Sequence, residues 1–314
     1  MDQRTAIKPV PFFLVTGFLG SGKTTLLKRF IETYADGKKL AIIQNEFADI
    51  NVDGRELKAT GKSFELLEIN KGSVFCVCLL SDFTSSLIDL LDTCQPDAVI
   101  LEATGLADPI AIGQLLMADR LKMKTYLSHV WCIIDTTSFL PMETLVTRMV
   151  HQVRIADSVV LNKTDQSSAE ETQQVEKRIT MINPHAEITR TKYCDIDLFD
   201  IFKEITATSN SPTNTNNINH LISSGPPNIF SAVVRTTGNI ARKDLEQFLS
   251  QYEMNTYRIK GYVNLSDNSS VSVQSCFGKT KILSVEKSMS PTELIALGPN
   301  LDHRVFSNAF ESFL

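Results

Sequence analysis

The chain has 314 residues, 43% of them apolar and 21% charged, with a formal net charge of −5. This composition fits a globular protein long enough for one large domain and a smaller one. No long lysine or arginine run is present, which argues against a nucleic-acid backbone or an anionic membrane as partner.

The first apolar run, about six residues long, is too short to span a bilayer and lacks a small-residue cleavage site, so a cytoplasmic protein is expected. Six cysteines (Cys76, Cys78, Cys94, Cys132, Cys194 and Cys276) do not make a dense disulfide framework in a chain of this size, and the expectation is free thiols.

PFFLVTG, residues 11–17, reads as a buried strand, and TTLLKRFIETYA, residues 24–35, as an amphipathic helix. Between them lies GFLGSGKT, Gly17 to Thr24, which fits the phosphate-loop spacing of two glycines, a lysine and a hydroxyl residue in its required strand-to-helix context. Gly17, Gly20 and Gly22 let backbone amides, with that of Ser21, turn inward around an anion. Lys23 then reaches the β- and γ-phosphates, Thr24 takes a position on Mg²⁺, and Thr25 completes the nucleotide-binding set at the positive end of the helix.

Further along, KKLAIIQNE, QPDAVILEATG, LSHVWCIIDTT and ADSVVLNKTD each read as a buried strand leading into a loop, with helices at TSSLIDLLDTC and EETQQVEKRITMI. The alternation predicts an α/β fold of the P-loop NTPase kind, a mostly parallel sheet with helices on both faces. In VILEATGLADP the strand ends on Glu102, expected to hold the Mg²⁺ shell or position water, and Gly105 places an amide near the γ-phosphate. LNKTD closes another strand. As in P-loop GTPases, the Asp165 carboxylate would accept from guanine's ring N–H and amino group, with Asn162 and Lys163 bracing base and phosphate loop. Adenine lacks that donor pair, leaving a carboxylate unsatisfied at a cost of roughly 1–3 kcal/mol.

Residues 209–227 are rich in Ser, Thr, Asn and Pro and read as a polar linker. The expected domains are therefore a P-loop GTPase domain at 1–208 and a smaller α+β domain at 228–314. FSAVVRTT, TYRIKGYVNL, SVSVQSC and TKILSV are the second domain's strands, and RKDLEQFLSQY and a C-terminal stretch from about Asp302 its helices.

GFLGSGKTT, NEFADINVD, EATGLADP and NKTD, in that order, with RIKGYVNL and ALGPNLDHRVF near the C-terminus, resemble the CobW-like GTPases, relatives of the HypB and UreG nickel-insertion GTPases. The resemblance implies a GTPase, with GTP and Mg²⁺ as cofactors, that couples nucleotide state to handling of a transition metal, Zn²⁺ or Co²⁺, or to delivery of a metallocofactor. It implies a client metalloenzyme or cofactor-assembly protein as partner, and it places Glu46 in the first switch, between the nucleotide and the metal site.

GSVFCVCLL, residues 72–80, departs from the family's C-x-C-C element. Aligned through Gly72, Ser73 and Phe75 fall under two of the three cysteines and Cys76 under the last, with Cys78 two residues on. On an extended segment residues two apart share a face, so both sulfurs could meet one ion at about 2.3 Å; on a helix they point apart. Glu46, Asp49, Cys94, His151, a partner or water would complete the shell. Packing of both cysteines as small hydrophobes is the competing reading. The linker has no histidine-rich run, which excludes a metal reservoir.

The expected function is GTP hydrolysis that drives metal or metallocofactor delivery to a client enzyme. Lys23, Glu102 and Gly105 serve the chemistry, and Glu46, Cys76 and Cys78, besides Thr24 on Mg²⁺, serve metal. No arginine finger is evident, so slow turnover is expected, accelerated by a partner or within a homo-oligomer. The alternative is a regulatory GTPase switch that gates a partner without touching transition metal. A P-loop kinase is disfavoured by NKTD.

Overall fold

The computed structural model describes residues 9–34, 39–45, 65–69, 77–103, 105, 109–143, 147–198, 230–276, 278–285 and 291–314. The chain divides into two compact units, Met1–Pro212 and Thr213–Leu314.

Among the described residues the first unit has seven parallel strands: β1 Val10–Gly17, β2 Leu40–Asn45, β3 Glu65–Ile69, β4 Ala98–Glu102, β5 Thr125–Asp135, β6 Ser158–Asn162 and β7 Glu187–Arg190. Their order in the sheet is β3-β2-β4-β1-β5-β6-β7. The helices are α1 Lys23–Tyr34, α2 Val77–Cys94, α3 Pro109–Leu116, α4 Phe139–Glu143, α5 Thr147–Ile155 and α6 Ala169–Ile182.

Both faces of the sheet are covered, as near-continuous apolar strands require. Alternate residues of β5 divide between the faces. Trp131 and Ile133 join Phe13, Leu27, Phe30, Ile31 and Leu198 on the α1 side, whereas Cys132 and Ile134 join Phe139, Met149, Val153 and Ile179 on the side of α4, α5 and α6. Trp131, the chain's single tryptophan, is fully buried. It stacks on Phe13 at 5.6 Å between ring centroids and meets Phe30 edge-on at 5.9 Å.

α6 begins with a capping box, in which Ser168 Oγ accepts from the Glu171 N–H and Glu171 Oε2 accepts from the Ser168 N–H. Among the described residues no helix is long and apolar enough to cross a membrane.

In the second unit β8 Phe230–Thr236, β9 Arg258–Asn264, β10 Ser270–Cys276, β11 Lys279–Val285 and β12 Thr292–Gly298 form an antiparallel sheet in the order β11-β10-β9-β12-β8. Two helices, α7 Arg242–Tyr252 and α8 His303–Glu311, pack Leu245, Phe248, Phe306 and Phe310 onto Ile259, Val263, Val273 and Leu294. The Asp302 carboxylate caps α8 by accepting from the Arg304 and Val305 amides.

The helix expected at TSSLIDLLDTC begins earlier, at Val77. The extended backbone that a shared ion would need therefore does not run through Cys78, which lies in the first turn of α2. An unbroken apolar stretch such as VFCVCLL does not reveal by periodicity whether it will be strand or helix. Cys76 lies outside the described residues.

Candidate nucleotide site

Every element of the site projects from the carboxyl end of a parallel strand, where open α/β sheets collect their functional loops. β1 ends at Gly17 and α1 begins at Lys23. Between them Gly17, Gly20 and Gly22 have φ of 139°, 73° and 112°, conformations that side chains oppose. Space forbids a side chain at two of these positions as well. A Cβ on Gly17 would lie 2.2 Å from the Ile133 carbonyl oxygen, and one on Gly22 would lie 2.4 Å from Asn162 Nδ2. Lys23 is buried, and its Nζ donates to the Phe18 carbonyl at 3.1 Å.

β4 lies between β1 and β2, and the register puts Glu102 beside both Val15 and Gln44. Glu102 as a residue is only 7% exposed, and burial of a carboxylate requires partners. Oε1 accepts from Thr24 Oγ1 at 2.8 Å, and Oε2 accepts from Gln44 Nε2 at 3.0 Å. Gln44 Oε1 is buried with no hydrogen-bond partner among the described residues. Gly105 packs so tightly on the phosphate loop that a Cβ there would lie 2.6 Å from the Leu19 amide nitrogen. Its carbonyl accepts from Gln152 Nε2 at 3.2 Å.

The NKTD run leaves β6 beside the phosphate loop. Asn162 Nδ2 donates to the Ser21 carbonyl at 2.8 Å. Lys163 adopts φ 61° and places Nζ 2.6 Å from Asp135 Oδ2 at the end of β5. Burial pushes the Asp135 carboxyl up, but hydrogen bonds from Lys163 and Thr137 outweigh it and hold the group below the usual carboxylate range. Asp165 is exposed. The structure thus brings Gly17–Thr24, Glu102, Gly105 and Asn162–Asp165 to one end of one sheet.

A further loop, unassigned by the sequence reading, completes this end. After β7, Tyr193 and Cys194 are both in the left-handed region, φ 53° and 52°, at roughly 1–2 kcal/mol per non-glycine residue. The Cys194 amide donates to Asn162 Oδ1 at 3.0 Å and its thiol to the Gly22 carbonyl at 3.3 Å. Burial pushes that thiol up to about 12, against the opposing charge of Arg29. A reading of EITR as a sixth strand of the parallel series would have placed TKYCD at the nucleotide end.

Among the described residues, no group of three or more His, Cys, Asp and Glu side chains is arranged to hold a metal ion. Glu46, Asp49 and Cys76 lie outside the described residues. Cys94 ends α2 and His151 lies within α5.

Residues 11–190 match the model of the CobW/HypB/UreG nucleotide-binding domain, and residues 229–314 match that of the cobalamin synthesis protein cobW C-terminal domain. The chain belongs to the CobW/HypB/UreG family.

It is 31% identical to the zinc chaperone YjiA of Escherichia coli (strain K12) over 202 residues, 62% of each chain. It is 26% identical to the zinc-regulated GTPase metalloprotein activator 1 of Schizosaccharomyces pombe over an alignment of 357 positions, covering 97% of this chain and 86% of that one. The zinc chaperone CobW of a Sinorhizobium species is 29% identical over 183 residues, half of this chain and 51% of the relative. The matched stretches thus span about three fifths of YjiA and half of that CobW protein. The crystal structure of Zn(II)-bound YjiA GTPase from E. coli superposes with a TM-score of 0.59 at 23% identity, over 98% of this chain and 99% of the other. This CobW-like chain therefore has the family's P-loop GTPase fold with a separate antiparallel second unit.

Proposed function

We propose that this CobW-like protein binds GTP, hydrolyses it slowly, and uses the nucleotide state to load a transition metal, zinc foremost, and deliver it to a client protein. The observation that carries the GTPase part is the pair of bonds around the phosphate loop. Thr24 Oγ1 meets Glu102 Oε1 at 2.8 Å on one side, and Asn162 Nδ2 meets the Ser21 carbonyl at 2.8 Å on the other. One loop is thus tied both to a carboxylate suited to a hard cation and to the guanine-reading run. The names of the relatives, zinc chaperones and a zinc-regulated metalloprotein activator, support zinc as cargo.

Mg²⁺ fits this donor set, because a hydroxyl and a carboxylate, with the buried acceptor Gln44 Oε1 beside them, are the hard oxygen ligands it prefers. Thr24 and Glu102 would hold it, directly or through water. When bound there, Mg²⁺ supplies charge neutralisation at the β- and γ-phosphate oxygens.

The chain's own groups do the rest. The phosphate-loop amides and the α1 N-terminus orient the triphosphate. Lys23 Nζ leaves the Phe18 carbonyl for the developing negative charge. Gly105 brings its backbone beside Leu19, where a γ-phosphate oxygen would need an N–H, and water attacks phosphorus in line as the bond to the bridging oxygen breaks, GDP leaving with that oxygen and the water proton passing to the released phosphate. Asp165 accepts from guanine, and its exposure leaves it open to an arriving base.

For the cargo we propose Glu46, Cys76 and Cys78; only Cys78 belongs to α2, so the spacing that turns two helical sulfurs apart does not govern the pair, and a client or a second copy of the chain completes the shell. Co²⁺ would suit the same donors. Zinc and cobalt affinities, measured by competition with a coloured chelator in Mg²⁺ with GDP or a non-hydrolysable GTP analogue, test this. Tight binding at one ion per chain that differs between the nucleotides and disappears in Cys76→Ser is expected. Binding in neither state would leave the regulatory switch without metal, and turnover unaffected by Lys23→Ala would overturn the GTPase itself.

A further inference from the structure

The left-handed turn after β7 has bonds of its own, from the Asp195 amide to the Lys192 carbonyl at 3.2 Å and from Thr191 Oγ1 to the Asp195 carbonyl at 3.1 Å, and it is also held from outside. Tyr193 and Cys194, neither of them glycine, occupy φ 53° and 52° in succession, a conformation that persists only where its surroundings enforce it. Two bonds from Arg29, in the middle of α1, do so. Arg29 Nε donates to the Tyr193 carbonyl at 2.8 Å, and Nη1 reaches Asp195 Oδ1 at 2.8 Å. The residue between those two contacts is Cys194, whose amide donates to Asn162 Oδ1 and whose thiol donates to the Gly22 carbonyl. Asn162 in turn donates to the Ser21 carbonyl.

The contacts close a ring. It runs from the phosphate loop through Asn162 to Cys194, through the turn to Arg29, and back along α1 to Lys23. Each side-chain group in it except the Asp195 carboxylate makes a bond to the main chain or to the asparagine of NKTD, so the ring fixes backbone rather than merely pairing surface charges. The ion pair itself is exposed, with 37% of the Arg29 side chain and 69% of Asp195 accessible, and such pairs contribute little. The informative bond is the one from Nε to the Tyr193 carbonyl.

We infer that Arg29 is a positioning residue for base selection: by holding the Tyr193–Asp195 turn it holds Asn162, and with it the guanine-reading run, against the phosphate loop. This rests on the GTP reading above and adds a residue to its specificity. The ring bonds the phosphate loop only at the Ser21 and Gly22 carbonyls and makes no bond to the side chains of Lys23 or Glu102 or to Gly105, so its loss acts on binding of GDP and GTP alike and far less on the chemical step.

The experiment measures GDP and ADP affinities by calorimetry, and KM and kcat for GTP, in the full chain and its variants. Arg29→Ala is expected to weaken GDP binding and raise KM by about tenfold, to narrow the preference for GDP over ADP, and to lower kcat by less than about threefold. Arg29→Lys keeps the charge but not the fork toward two acceptors and should lose nearly as much. Asp195→Ala keeps the bond to Tyr193 and should lose less than about threefold. Glycine adopts the turn unaided, so Tyr193→Gly added to Arg29→Ala should restore most of the lost affinity, an outcome that a stability role for the ion pair does not produce.

A parent that prefers GDP together with an Arg29→Lys variant that binds GDP and ADP as the parent does overturns the inference and leaves the GTP reading intact. Equal loss in Asp195→Ala and Arg29→Lys, or no glycine rescue, also overturns it. A parent without preference for GDP over ADP overturns the reading and the inference together.

Discussion

The side-chain amide of Asn162 donates to the main-chain carbonyl of Ser21 at 2.8 Å across 141 positions of sequence, so the residue that opens NKTD also props the phosphate loop. Both its polar atoms are used, since Oδ1 accepts from the Cys194 amide. Asn162→Ala would leave buried main-chain groups of Ser21 and Cys194 without partners, at about 1–3 kcal/mol each. Thermal melting should show a lower midpoint for the first unit, and calorimetry weaker binding of GDP and of ADP. An unchanged midpoint would mean that the phosphate loop holds its shape without the prop.

Glu102 and Thr24 are expected to act on the cation and not on the base. Glu102→Gln keeps the shape but halves the acceptor capacity toward Thr24 and Gln44. The Mg²⁺ concentration for half-maximal GTP turnover should rise by about tenfold, while GDP affinity measured in chelator changes little. Thr24→Ser keeps the hydroxyl and should titrate like the parent, whereas Thr24→Ala should behave like Glu102→Gln. A Mg²⁺ titration of phosphate release separates these cases.

Asp165→Asn exchanges a two-oxygen acceptor for one carbonyl and one amide. Guanine's paired donors then meet an N–H, and affinity for GDP should fall by about tenfold or more. Xanthine, with a carbonyl in place of the amino group, presents the matching edge. Competition with XDP against GDP should therefore reverse the order of preference. If the variant keeps the parent's order, the base is read elsewhere.

The Asp135–Lys163 pair predicts an acid limb in stability. The Asp135 carboxyl is held below its ordinary 3.8 by bonds from Lys163 and Thr137 that outweigh burial. A group whose folded pKa is depressed contributes stability that is present above the unfolded value and is lost as pH falls through the folded one. The urea midpoint of the parent should fall as pH drops below about 5, and Asp135→Asn should flatten that drop. Parallel pH profiles for the two proteins would assign the acid limb to other carboxylates.

The phosphate loop and NKTD were legible because their residue types and spacing lie within a few positions of sequence. Gly17 and Gly22 are glycine for reasons of φ, and of space against Ile133 of β5 and Asn162 of β6, and the spacing to Lys23 records this directly. Five of the seven parallel strands announced themselves as apolar runs. β3 Glu65–Ile69 and β7 Glu187–Arg190, each with charged residues in five positions or fewer, did not, nor did β12 Thr292–Gly298 in the second unit. Missing β7 concealed the Cys194 loop, because the contacts of Arg29 with Tyr193 and of Cys194 with Gly22 span 164 and 172 positions. They exist only once the sheet order has brought β7 to the β6 edge. At GSVFCVCLL the choice between extended and helical backbone stayed open for a different cause: bulky residues on every side carry no period, and α2 begins at Val77.

Trp131 makes the first unit report on itself. It is the one indole in the chain and is sealed between Phe13 of β1 and Phe30 of α1, while the second unit carries Tyr252, Tyr257 and Tyr262 and no tryptophan. Selectively excited indole emission is then an optical label for the nucleotide-binding half alone, and far-ultraviolet dichroism sums both halves. In a denaturant series, the gap between the two curves would measure how independently the halves melt, with no dye or tag added. A nucleotide that stabilises only the first half would move the fluorescence curve and widen that gap.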